Sequence, residues 1–141
     1  MTVTLNPAIV GQAEKHHTAI LSRALSGTAL DEKQWITVNQ ALAAGGTVER
    51  AAHVAHVARL TRWRPADVDA ALAALVGTGL VREAPGDHIE VTDAGRALVA
   101  RVRAETGEIL GRAYGSVPAA DLAVAARVLT TITARMAEEL A

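Results

Sequence analysis

A mainly α fold built around a winged helix-turn-helix is predicted by three observations on one stretch, Val54 to Val99. Arg64-Pro65 places a proline at a first helical position, where its missing N–H costs nothing and its φ is already helical. The helix it opens carries Val68, Ala71, Leu72, Leu75 and Val76 at spacings of three and four, an apolar stripe along its whole length. Gly77 and Gly79 end that helix, Gly79 taking the left-handed closing position. Leu80 to Ala84 and His88 to Thr92 then read as strands around a Pro85-Gly86-Asp87 turn. Helix, turn, helix, hairpin, helix is the order a winged helix needs, and it points to double-stranded DNA as the partner.

The remaining elements follow in chain order. Asn6-Pro7 reads as a cap and first helical residue for a helix to about Leu25, striped by Ile9, Val10, Ala13, His17, Ile20, Leu21 and Ala24. Ser26-Gly27-Thr28 breaks it. A second helix starts near Asp31, with acids in its first turn favourable to the helix dipole. It buries Trp35, Val38 and Leu42 before Gly45-Gly46. Thr47 is expected to cap a third helix running from Val48 to about Leu60. The Pro65 helix is the fourth. Thr92 caps a fifth, through Gly95, Leu98, Val102 and Ile109 to about Ala113, roughly 30 Å long at 1.5 Å per residue. Pro118 opens a sixth, with Leu122, Ala125, Ala126, Leu129, Ile132 and Met136 on one side. The sum is six helices and a two-stranded wing.

Composition narrows the function classes. The 141 residues suffice for one domain with its own core, and half are hydrophobic, but Phe is absent and Trp35, Trp63 and Tyr114 are the only aromatics. Bulky side chains are scarce, so close packing through alanine with burial completed by a partner chain predicts a homodimer. Without cysteine there is no disulfide, thiolate metal site or thiol redox switch. No apolar run reaches the ~18 residues of a membrane helix, and the start lacks a signal-peptide pattern, so a cytoplasmic location with no membrane partner is expected. There is no Gly-rich phosphate loop and no His-Glu-x-x-His motif, and Ser22, Ser26 and Ser116 stand in no nucleophile context. Asp67 and Asp69, two apart on a helix, do not face each other. Neither an enzyme activity nor a cofactor is expected.

Candidate binding residues gather near the turn between the third and fourth helices. Arg59, Arg62, Trp63 and Arg64 surround it, and guanidinium groups with an indole N–H can hold a phosphate backbone there. Equally, Trp63 can plug the gap between the helices while the arginines solvate the turn. On the Pro65 helix the side away from the apolar stripe offers Ala66, Asp67, Asp69, Ala70 and Ala73. A carboxylate there can accept from cytosine N4, and it also repels phosphate. From Thr47 to Thr92 five arginines meet six acids, and the whole chain carries a formal charge of −1. That balance is unusual where phosphate neutralisation supplies affinity. His16 and His17 lie beside the stripe of the first helix and can pair with a ligand carboxylate or rest as hydrogen-bonded core histidines. Trp35 is core or the wall of a ligand pocket. His53 and His56, three apart, show two of the ligands a metal needs, and are read as part of a solvated face beside Glu49 rather than a metal site.

Taken in order, Val57-Ala58, Leu60, Val68, Leu72, Leu75, Gly79-Leu80-Val81, the run Val91-Thr92-Asp93-Ala94-Gly95-Arg96 and the end Pro118-Ala119-Ala120-Asp121-Leu122 through Val128-Leu129 resemble the MarR family of dimeric bacterial transcription regulators. The resemblance covers nearly the whole chain. It implies one domain over residues 1–141, with 1–30 and 93–141 as dimerisation helices and 31–92 as a winged-helix DNA-binding lobe. It further implies a homodimer whose Pro65 helices enter successive major grooves of a pseudo-palindromic site. A small-molecule ligand would relieve repression. Arg82 is similar to that family's strand-end arginine, or else pairs with Glu83 or Glu90. The family's wing usually carries an arginine near its tip, and Ala84 to Glu90 has Asp87 and His88 instead. Three readings result: a ligand-responsive DNA-binding regulator, a degenerate winged-helix module that binds protein through its acidic helix, and a small-molecule-binding protein whose DNA affinity is secondary.

Overall fold

The structure is a computed structural model that describes residues 2–141. Its elements run α1 (Pro7–Leu25), α2 (Glu32–Ala43), β1 (Thr47–Glu49), α3 (Arg50–Thr61), α4 (Pro65–Gly77), β2 (Val81–Ala84), β3 (His88–Val91), α5 (Asp93–Gly115) and α6 (Ala119–Glu139). All six expected helices are present. By contact density the chain falls into two compact units, Met1–Thr106 and Gly107–Ala141.

Local chemistry sets most of the boundaries. Asn6 accepts from the Ile9 N–H to start α1. Asp31 and Gln34 form a reciprocal capping box at α2, which satisfies two backbone donors that the first turn cannot. Thr92 does double duty ahead of α5. Its hydroxyl accepts from the Gly95 N–H at 3.1 Å and donates to the Gly79 carbonyl at 2.7 Å, tying the start of α5 to the end of α4. Gly79 closes α4 with φ +77°, as its position after the apolar stripe requires.

One boundary differs from the sequence reading. Thr47 does not cap α3; Thr47–Glu49 is a strand, and Glu49 caps the helix, its carboxylate accepting from the Ala51 and Ala52 N–H groups. The wing hairpin therefore belongs to a three-stranded antiparallel sheet of order β1-β3-β2, with Val48 opposite Ile89 and Glu90 flanked by Thr47 and Arg82. The physical reason is that β3 has two edges, and Gly45 and Gly46, at φ +108° and +91°, turn the chain so that β1 covers the second. At the other end Pro118 sits one residue before α6, as its cap, rather than inside it.

The core of the first unit fills the space between α2, α4, the sheet and the first part of α5. Val38, Leu72, Leu75, Val81, Ile89, Val91, Val99 and Val102 are almost wholly removed from solvent. Each such aliphatic side chain contributes about 1.5 to 3 kcal/mol relative to exposure. Val68 on α4 and Val57 on α3 are as deeply buried, and the burial of Val68 fixes which side of α4 faces outward. In the second unit α6 has no buried residue, and Val124, Val128, Leu129, Ile132 and Met136 form an exposed apolar row.

Candidate nucleic-acid interface

The α4 helix presents Ala66, Asp69, Ala70, Ala73 and Gly77 to solvent, opposite the buried Val68, Ala71, Leu72 and Leu75. Its N-terminus is set by the turn from α3, where Arg62 takes the left-handed conformation at φ 62°. For a residue with a Cβ that conformation costs on the order of 1 kcal/mol. It is held by the Arg62 N–H donating to Ala58 and by the Thr61 hydroxyl accepting from the Trp63 N–H. Trp63 is half-buried at the turn, and the Lys33 ammonium of α2 lies 5.6 Å from its ring centroid, within cation–π range.

The charged residues around this face divide into two groups. Arg59 and Arg62 are exposed and form no ion pair among the described residues. The other arginines are engaged. Arg64 donates to both oxygens of Asp67, at 3.2 and 3.3 Å, and Lys33 adds a third contact at 3.6 Å. The Arg64 hydrogen bond, with the charges of Arg64 and Lys33, holds the Asp67 carboxyl below the usual carboxylate range. Arg50 grips one oxygen of Asp69 with Nε at 3.0 Å and Nη2 at 2.9 Å. Arg82 crosses from β2 to Glu90 on β3, where Nη2 lies 3.0 Å from each oxygen, so the strand-end arginine takes the ion-pair alternative. From sequence Asp67 and Asp69 read as helix-face residues without partners, and Arg50 is signalled only by its place on the polar side of the first turn of α3.

Beside this face lies a groove of about 560 Å³, lined by Glu49, Arg50, Ala51, Val54, Ala55, Pro65, Ala66, Asp69 and Asp87. The Arg50 N–H donates to the Asp87 carbonyl at 2.9 Å, which fastens the start of α3 to the wing turn. In that turn Gly86 and Asp87 both have positive φ, and the His88 ring bonds back to the Gly86 carbonyl at 2.7 Å. His88 is thus half-buried against its own turn rather than projecting from it.

The other candidates sit in different environments. Trp35 is in the core beside Val38 and Ala41. His16 and His17 are exposed on α1, each with Nδ1 at 2.7 Å from a backbone carbonyl one turn earlier. His53 corrects the solvated-face reading. It is 3% exposed, and its Nε2–H donates to the Thr37 carbonyl at 2.9 Å, linking α3 to α2. Burial pushes its pKa below the ordinary 6.5. An imidazole at spacing three from His56 lies on the helix's inner side here because Val57, one turn on, is also buried. No three His, Asp or Glu side chains come together as a metal-holding group among the described residues. Also among them, no single helix is long and apolar enough to cross a membrane.

No protein-family model and no curated protein matches the chain. Solved structures do. A MarR-family transcriptional regulator from Silicibacter pomeroyi superposes with a TM-score of 0.75 at 17% identity, over 92% of this chain and 88% of that one. MarR from E. coli in its reduced form gives 0.69 at 14% identity, over 93% and 95%. Bordetella bronchiseptica BpsR, whose DNA binding is regulated by 6-hydroxynicotinic acid, gives 0.69 at 19% identity, over 91% and 93%. Six helices, the three-stranded sheet and these superpositions together establish that the chain has the MarR-type winged-helix fold.

Proposed function

We propose that the protein is a homodimeric, DNA-binding transcriptional regulator, a repressor whose grip on DNA is modulated by a small-molecule ligand. The observation that carries this reading is that Arg59 and Arg62, exposed and in no ion pair among the described residues, lie beside the N-terminus of a helix whose outer face is open and lined by small side chains. Free guanidinium groups at that position suit phosphate contacts that set the register of a helix in the major groove. Trp63 and Arg64 complete the contact surface of the turn.

Dimerisation is supported by the apolar rows left uncovered in a single chain: Ile9 and Val10 on α1, and Val124 through Met136 on α6. A second copy covering them would present two α4 helices to a pseudo-palindromic duplex. For the ligand, exposed His16 and His17 on α1 supply imidazoles suited to an organic acid, and Trp35, buried in the core, is the second candidate. Such a regulator works in the cytoplasm, where the DNA is.

A second reading has its own support. Of the five arginines between Thr47 and Thr92, three are held by carboxylates of the same chain, which favours a winged helix of weak DNA affinity that meets a protein partner instead. Binding of the purified protein to a duplex taken from upstream of its own gene, against a scrambled duplex of equal length, separates the two. Tighter binding to the promoter supports the regulator; equal absence of binding to both at low salt supports the interaction module.

A further inference from the structure

We infer that Asp69 is the base-reading residue of α4 and that it selects cytosine in each half-site, with Arg50 as its positioning residue. This rests on the proposed DNA-binding reading and names what that surface reads. The outward row of α4 is Ala66, Asp69, Ala70, Ala73 and Gly77. Four of these five end at a methyl group or less, so a helix lying in a major groove on this face approaches closely, and Asp69 brings the row's one hydrogen-bonding side chain. Asp67 does not compete for the role. It sits on the flank of the helix, half-buried, with both oxygens occupied by Arg64 and Lys33.

The geometry of Asp69 fits a reader of one base. Arg50 places Nε and Nη2 on the same oxygen, Oδ1, at 3.0 and 2.9 Å, and Oδ2 carries no bond among the described residues. The Asp69 side chain is 56% exposed and that of Arg50 29%, so the carboxylate projects while its clamp is partly sheltered. Arg50 is itself anchored, its N–H bonded to the Asp87 carbonyl of the wing turn. The clamp fixes the rotamer of Asp69 and offsets the charge that would otherwise oppose entry between two rows of phosphates. The free oxygen can only accept. In the major groove guanine offers only acceptors and thymine an acceptor and a methyl, whereas cytosine offers the N4 amine as donor. Adenine also has an amine, at N6, but its neighbouring N7 is an acceptor that repels a carboxylate. Cytosine is the base that matches.

The test is selection of bound duplexes from a random pool at low salt, followed by sequencing, for the wild type, Asp69→Asn, Arg50→Lys and Arg62→Ala. Because Asp69 is exposed, the first variant keeps the fold, and a melting curve verifies this. The wild type is expected to enrich cytosine at one position of each half-site by about fivefold or more. With Asp69→Asn that preference moves to adenine, whose N6 and N7 pair with an amide. Arg50→Lys broadens it, since an ammonium cannot hold the carboxylate with two bonds. Arg62→Ala lowers the yield and leaves the preferred base unchanged. A wild-type motif that survives Asp69→Asn unaltered overturns the assignment and leaves the DNA-binding reading standing. Failure of the wild type to retain any duplex removes that reading and the assignment with it.

Discussion

Replacing Gly95 with alanine sets helix propensity against packing. Gly95 lies in the first turn of α5, where alanine ordinarily stabilises a helix by about 0.5 to 1 kcal/mol. Here an added Cβ would overlap the Leu80 carbonyl oxygen and come within 2.9 Å of Val91 Cγ1 and 3.1 Å of the Leu80 carbonyl carbon. The side chain of Val91 could turn aside, but the Leu80 carbonyl is backbone and accepts the Thr92 N–H at 3.1 Å. Relief requires α5 to move off the α4–β2 junction. Overpacking of this kind costs about 1 to 3 kcal/mol, and loss of that hydrogen bond about 1 more. After subtracting the propensity gain, Gly95→Ala is expected to destabilise by about 1 to 3 kcal/mol, read as a lower urea midpoint at unchanged slope. Gly77→Ala is the control, because Gly77 is helical with nothing within 4 Å of an added Cβ, and its midpoint should hold or rise. A Gly95→Ala variant as stable as the wild type would refute the close approach of α5 to Leu80.

Three other outcomes are expected. His53 has a folded pKa below that of the unfolded chain, so at falling pH the unfolded state takes the proton first. Stability should drop as pH is lowered through and below about 6.5, and His53→Asn should flatten that part of a stability profile taken between about pH 7 and pH 5. Thr37 is fully buried and its hydroxyl has no partner among the described residues, so Thr37→Val should raise the melting midpoint, a gain of up to about 1 to 2 kcal/mol. A lower midpoint would show that the hydroxyl is satisfied. Ile132, 42% exposed in the single chain, should become buried in a dimer; Ile132→Asp is expected to halve the mass seen by sedimentation at micromolar concentration. An unchanged mass would place the dimer contact elsewhere.

What was legible in the sequence were features with a local cause. Pro65, Gly79 and the Thr92 cap bracket the helix-turn-helix and the wing, because proline, a left-handed glycine and a capping hydroxyl each act within a few residues. Illegible features depend on pairing across the fold. Thr47-Val48-Glu49 is too short to show alternation, and only the free edge of β3 makes it a strand. The acidic count in the lobe was visible, but not that Asp67, Asp69 and Glu90 each hold an arginine 3, 19 and 8 residues away. The burial of His53 likewise depends on α2 supplying the Thr37 carbonyl, and nothing in the spacing of His53 and His56 announces it.

If the α3–α4 turn holds DNA through Arg59 and Arg62, as proposed, the salt dependence of duplex binding should differ between the wild type and the Arg59→Ala/Arg62→Ala double variant. Each phosphate contact contributes about 0.9 to the slope of log affinity against log salt, so two contacts per protomer in a dimer predict a slope shallower by about 3 to 4 in the variant. Equal slopes and equal affinities would remove those arginines from the interface.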